Sequence, residues 1–151
     1  MQLTRRQMLT LTAGVAGMAV IGLPFDLALA AVEDTEKAIM DFTGGKKPET
    51  GKITLTAPEI AENGNTVPVS ISVDSAMSGD DMVDSVIIFA EGNPNPQVAT
   101  FRFSELSGSA EATTRMRLAK TQNVIAVAKM KDGSVFIDKK QVKVTIGGCG
   151  G

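Results

Sequence analysis

From Lys52 onward, apolar and polar residues alternate with a period of two. Ile53, Leu55 and Ala57 are separated by Thr54 and Thr56, and Val67, Val69, Ile71 and Val73 by Pro68, Ser70 and Ser72. Successive side chains of a strand point to opposite faces, so this spacing predicts strands with one buried face. Residues 98–103, 112–118 and 124–130 repeat the pattern. Val135, Phe136 and Ile137 open a last stretch that Val142, Val144 and Ile146 complete. Val86-Ile87-Ile88-Phe89 is apolar without interruption, as a strand covered on both faces would be. Upstream, residues 32–42 carry Ala38, Ile39 and Phe42 behind acidic Glu33, Asp34 and Glu36. This predicts a short helix with acids at its positive end and Gly44 as its stop. Residues 43–51 form a polar Gly/Lys/Pro linker.

Turn residues punctuate the strands at Asn63-Gly64-Asn65, Ser78-Gly79-Asp80, Gly92-Asn93-Pro94-Asn95-Pro96, Ser107-Gly108 and Asp132-Gly133. The last of these, set between two apolar runs, is a strong hairpin signal. Seven or eight short strands in about one hundred residues read as an all-β, immunoglobulin-like antiparallel β-sandwich, with a small closed barrel as the alternative. The expected organisation is a helix and linker over 31–51 and one sandwich domain over 52–146.

Composition narrows the chemistry. The chain has 151 residues, 15 Lys and Arg against 17 Asp and Glu, one Cys and no His. That length suits a single domain. Without His, the usual neutral-pH base is missing, and Ser-His-Asp and Cys-His nucleophile pairs cannot be built within the chain. One Cys and no His also exclude Cys/His zinc sites. A slightly acidic balance with no Trp or Tyr argues against nucleic acid as a partner. The expectation is a protein that is not an enzyme and that carries no cofactor.

The first thirty residues read as an export signal. Arg5-Arg6 precedes Met8-Leu9, a mildly apolar run follows to about residue 23, and Ala28-Leu29-Ala30 offers a small-x-small cleavage site. Gly14, Gly17, Gly22 and Pro24 weaken the run as a membrane span. The paired arginines resemble a twin-arginine signal, although Met8 and Thr10 depart from the commonest form. The expectation is a periplasmic protein, exported folded by the twin-arginine route, with no membrane contact once cleaved.

The chain closes in Gly147-Gly148-Cys149-Gly150-Gly151, and Cys149 is its only sulfhydryl. No neighbouring side chain shields the sulfur. It lies three positions beyond Ile146, a reach of ~10 Å at ~3.3–3.6 Å each. The pentapeptide reads as a thin swinging arm, residues 147–151, that can enter a narrow channel. The nearest cation in sequence is Lys143, so the chain does little locally to lower a thiol pKa near ~8.5. The thiol would be quiet alone and reactive inside a partner. Covalent carriage is one reading, and an exported module linking two copies through a Cys149 disulfide is the other. A thiocarboxylate carrier of ubiquitin-like fold would also end in Gly-Gly, but the strand pattern and the export signal oppose it.

Other features have plainer readings. Asp80, Asp81 and Asp84 lack the spacing of a cation loop and read as a solvated turn. Met40, Met77, Met82, Met116 and Met130 read as packing residues. Lys139 with Lys143, and Arg115 with Arg117, are pairs on exposed strand faces. The Asn-Pro repeat at 93–96 reads as a rigid turn or a partner contact.

The terminal Val142-Lys143-Val144-Thr145-Ile146-Gly147-Gly148-Cys149-Gly150-Gly151 resembles the terminus of the SoxY family, sulfur carriers of the periplasmic Sox thiosulfate-oxidising system. The segments 57–64, 67–69, 92–96, 114–119 and 126–133 are similar to that family too. The resemblance implies an immunoglobulin-like sandwich paired with a SoxZ-like sandwich subunit as a non-catalytic substrate platform. It implies that Cys149 is the attachment point and that Gly147, Gly148, Gly150 and Gly151 form the arm. Haem-containing SoxAX would join thiosulfate to the sulfur, SoxB would release sulfate by hydrolysis, and a sulfane dehydrogenase, where present, would oxidise the remaining sulfur.

Overall fold

The computed structural model describes residues 25–148. Residues 1–24, with Arg5 and Arg6 of the expected export signal, and the terminal Cys149, Gly150 and Gly151 lie outside the described residues. Two sheets face each other and a helix covers the outer face of the larger one. The elements in chain order are helix α1 (Phe25–Thr43), then β1 (Glu49–Thr50), β2 (Ile53–Thr56), β3 (Ile60–Asn63) and β4 (Val67–Val73). They continue with β5 (Val83–Ala90), β6 (Gln97–Arg102), β7 (Ala110–Met116), β8 (Gln122–Met130) and β9 (Val135–Ile146). The large sheet runs β1-β9-β8-β5-β6, with β3 also paired to β9, and the small sheet runs β2-β4-β7.

The alternation seen in the sequence is a burial pattern here. Val67, Val69, Ile71 and Val73 of β4 are buried between the sheets while Pro68 is exposed. They meet Leu55, Val86, Ile88, Val124, Ala126, Ala128 and Val142 in one core. The uninterrupted run in β5 divides: Val86 and Ile88 face the sandwich, whereas Ile87 and Phe89 face outward with Ile125 and Val127 of β8. That outer face is apolar because α1 lies on it, presenting Ile39, Ala38 and Phe42 to the second cluster. The spacing from Thr35 through Ala38, Ile39 and Phe42 to Thr43 is that of one helical face. Gly44 and Gly45 end the helix with φ of +67° and +84°, and Gly45 N–H donates to Met40 O at 2.8 Å.

The sandwich is antiparallel through β2-β4-β7 and β9-β8-β5-β6. Two short parallel pairings add to it, β1 on the first part of β9 and β3 on the last. Neither was expected as a strand, because two and four residues give no alternation to read. They form where β9, twelve residues long, would otherwise present an open outer edge. Between them, Leu55 N–H of β2 donates to Asp138 Oδ2 at 2.8 Å, tying the sheets together at that edge. The helix begins at Phe25, earlier than the expected 32, since Leu27, Ala28, Leu29 and Ala30 are good helix formers. Met77, Met82, Met116 and Met130 are buried as expected, whereas Met40 is 44% exposed on the outer flank of α1 and is corrected to a surface residue.

Candidate functional site

β9 carries the chain to the end of the sandwich, where Ile146 is 67% exposed. Three backbone segments converge there: the Asn63-Gly64-Asn65 turn after β3, residues 117–121 between β7 and β8, and the first residues of the glycine tail. Gly64 N–H donates to Ile146 O at 2.7 Å, Leu118 N–H to Gly64 O at 2.8 Å, and Gly148 N–H to Leu118 O at 2.9 Å. The three bonds run in series and fasten the tail by its main chain alone.

These segments touch because the contacts carry no Cβ. A Cβ on Gly148 would lie 2.8 Å from Gly64 O and 3.0 Å from Gly64 C. One on Gly64 would lie 2.7 Å from Gly148 N and 2.9 Å from Val144 Cγ1, and one on Gly147 would collide with Ala119 O. None of the three glycines has positive φ, so space rather than backbone freedom requires them. The sequence suggested only mobility for Gly147 and Gly148. In the structure both are held, and Gly148 is buried.

The 117–121 segment is fixed from beneath by two amides, each 6% exposed. Asn93 Nδ2 donates to Arg117 O at 2.8 Å, and Asn93 Oδ1 accepts from Ala119 N–H at 3.0 Å and from Gln122 Nε2 at 2.9 Å. Gln122 Nε2 also donates to Lys120 O at 3.1 Å, and Gln122 Oε1 accepts from Gly92 N–H at 2.7 Å. Val144 N–H donates to Thr121 Oγ1 at 2.9 Å, joining the same segment to β9. Pairing of this kind is what allows polar side chains to be buried, and no buried side-chain polar atom among the described residues lacks a partner. Asn93, expected as part of a rigid turn or a partner contact, is a strut under the tail. The signal in sequence was an Asn inside a Pro-rich turn, which alone does not say what it bonds.

Folding also changes the charge setting of the tail. Lys143 is the nearest cation along the chain, but Arg117 and Lys120 flank the two carbonyls against which Gly147 and Gly148 pack. Glu59 and Glu62 border the other side, where Thr145 Oγ1 donates to Glu62 O at 2.8 Å. All four side chains are exposed.

Perturbed titrations sit at the other end of the sandwich. Ala76 N–H and then Lys52 hold the Asp81 carboxylate below its ordinary range, with Lys52 Nζ 2.5 Å from Asp81 Oδ1. The Ser134 hydroxyl and N–H do the same for Asp132. Asp81 is thus engaged as a turn and ion-pair residue, and no group of three or more His, Cys, Asp or Glu among the described residues could hold a metal.

The family model for sulfur oxidation protein SoxY matches residues 39–149. Among solved structures, the sulfur carrier protein SoxY from Chlorobium limicola f thiosulfatophilum is 34% identical, with a TM-score of 0.60 over 74% of this chain and 96% of that one. A superoxide reductase (neelaredoxin) from Ignicoccus hospitalis is 21% identical, with a TM-score of 0.53 over 69% of this chain and 90% of that one. At that identity the likeness shows a shared sandwich fold and nothing of function. No curated protein sequence matches the chain.

Proposed function

Because the chain belongs to the SoxY family of sulfur oxidation proteins, we propose that it is a covalent sulfur carrier of the Sox system, with the Cys149 thiol as the attachment point. The observation that carries this reading is the family match reaching to position 149, where the only thiol of the chain follows a side-chain-free pair at the sandwich end. The thiolate is the nucleophilic form of cysteine. In the proposed cycle it joins the outer sulfur of thiosulfate, forming one S–S bond and giving two electrons to a haem-containing SoxAX partner. Water then attacks the terminal sulfonate under a SoxB-type hydrolase, and sulfate leaves with a persulfide remaining on Cys149. A sulfane dehydrogenase, where one acts, oxidises that persulfide sulfur for a further hydrolysis. The chain itself supplies the handle and its placement, and catalysis belongs to the partners.

The reading includes a SoxZ-like sandwich as a stable partner and a periplasmic location reached by the twin-arginine route. A family match and an Arg5-Arg6 signal support both. The test is loading in vitro. Wild-type protein with thiosulfate and an oxidising haem partner gains covalently bound sulfur, and the Cys149→Ser variant gains none while remaining folded. Equal loading of the variant would overturn the reading.

A further inference from the structure

We infer that Asn93, Gln122 and Gly64 are positioning residues for the carrier arm, acting through a backbone latch that grips Gly147 and Gly148. The inference deepens the carrier reading and rests on it for its purpose, while its geometry stands on described residues alone. With the latch closed, Gly148 is itself held, its N–H bonded to Leu118 O. Cys149 then starts one Cα–Cα step of about 3.8 Å from a fixed residue. With the latch open, the hold retreats to Ile146 on β9, and the reach to Cys149 becomes ~10 Å at ~3.3–3.6 Å per residue. The two states thus differ in how far the handle extends, and the difference is set by contacts far from it in sequence.

The grip depends on where Leu118 O and Ala119 O stand. Asn93 fixes both sides of Leu118, through Arg117 O and Ala119 N–H, and Gln122 holds Asn93 Oδ1 and Lys120 O in turn. A buried, fully paired amide network of this kind holds one geometry, because any shift strands a donor or acceptor. Gly64 provides the opposite jaw, accepting from Leu118 N–H and donating to Ile146 O. A latch of a few main-chain bonds and no side-chain burial is weak enough to open without unfolding the sandwich.

The test is amide exchange at Gly148 together with the alkylation rate of Cys149, both on the full chain alone. In the wild type, the Gly148 amide exchanges about tenfold slower than in a free Gly-Gly peptide, the protection of one net hydrogen bond. Asn93→Ala and Gly147→Ala each abolish that protection and speed alkylation by a similar factor. Asn93→Asp keeps the acceptor for Ala119 N–H and retains part of it. Val83→Ala, a core truncation in β5 opposite Met130 at the other end of the sandwich, lowers the melting temperature but moves neither readout. If Asn93→Ala fails to fold, Gly147→Ala decides alone. A freely exchanging Gly148 amide in the wild type, unchanged exchange in Gly147→Ala, or the same response in Val83→Ala would each overturn the latch. Neither readout needs bound sulfur, so the latch can fail while the carrier reading stands, and the reverse.

Discussion

At the hairpin end of the sandwich, Gly133 turns the chain from β8 to β9 with φ of +83°, and a Cβ there would meet only the tip of Lys46, at 2.8 Å from Nζ. At the tail end, Gly64, Gly147 and Gly148 have ordinary backbone angles, and a Cβ on any of them would press on main-chain atoms of a neighbouring segment. The first glycine is there for a backbone angle and the other three for room. A flexible lysine tip can move aside, whereas a hydrogen-bonded carbonyl cannot. The same residue type therefore tolerates different replacements at the two ends.

Substitution sharpens this contrast. Gly64→Ala overfills the tail end and is expected to cost about 1–3 kcal/mol, the usual range for overpacking. Denaturant unfolding reads it as a lowered midpoint with an unchanged slope. Gly133→Ala forces a Cβ into the left-handed region and is expected to cost about 1–2 kcal/mol. Gly133→Asn should recover much of that loss, since Asn tolerates that region, while Gly64→Asn should be worse than Gly64→Ala. Equal rescue by Asn at both positions would erase the distinction.

Acid gives a smaller effect confined to the hairpin end. Asp81 and Asp132 have folded-state pKa values below their unfolded ones, so the stability they contribute is fully present above the ordinary Asp value of about 3.9. It is lost as pH falls from there through the depressed folded values. Both groups are solvent-facing, so added salt should shrink the Lys52 share of it. Melting curves from pH 5 to pH 2 should show this loss, and Ser134→Ala should flatten it by removing the hydroxyl bonded to Asp132. The smallest effect on stability is expected for Cys149→Ser, within about 0.5 kcal/mol if the thiol serves only as a handle. A large loss there would mean that the thiol is a structural part of the sandwich.

Periodicity made the sandwich legible. Strand β4 and the divided run of β5 follow directly from where apolar residues stand, and the Asp132-Gly133 pair marked its hairpin. Strands β1 and β3 were not legible, because each is a response to the open edge of β9 rather than to its own sequence. At the tail, the residue types were legible and their packing was not. Gly147 and Gly148 look unconstrained beside their neighbours in sequence, and their constraint comes from Gly64 and Ala119, about 80 and about 30 residues away along the chain. Asn93 is hidden for the same reason, since its partners Arg117 and Ala119 lie beyond two whole strands, β6 and β7.

The most direct measurement is the mass of the C-terminal peptide released by cleavage after Lys143, taken from protein isolated out of thiosulfate-oxidising cells without reductant. The account predicts peptide carrying one added sulfur or a thiosulfate group on Cys149, removable by reducing agents. Peptide found only as the bare thiol or as a disulfide between two copies of the chain would contradict it.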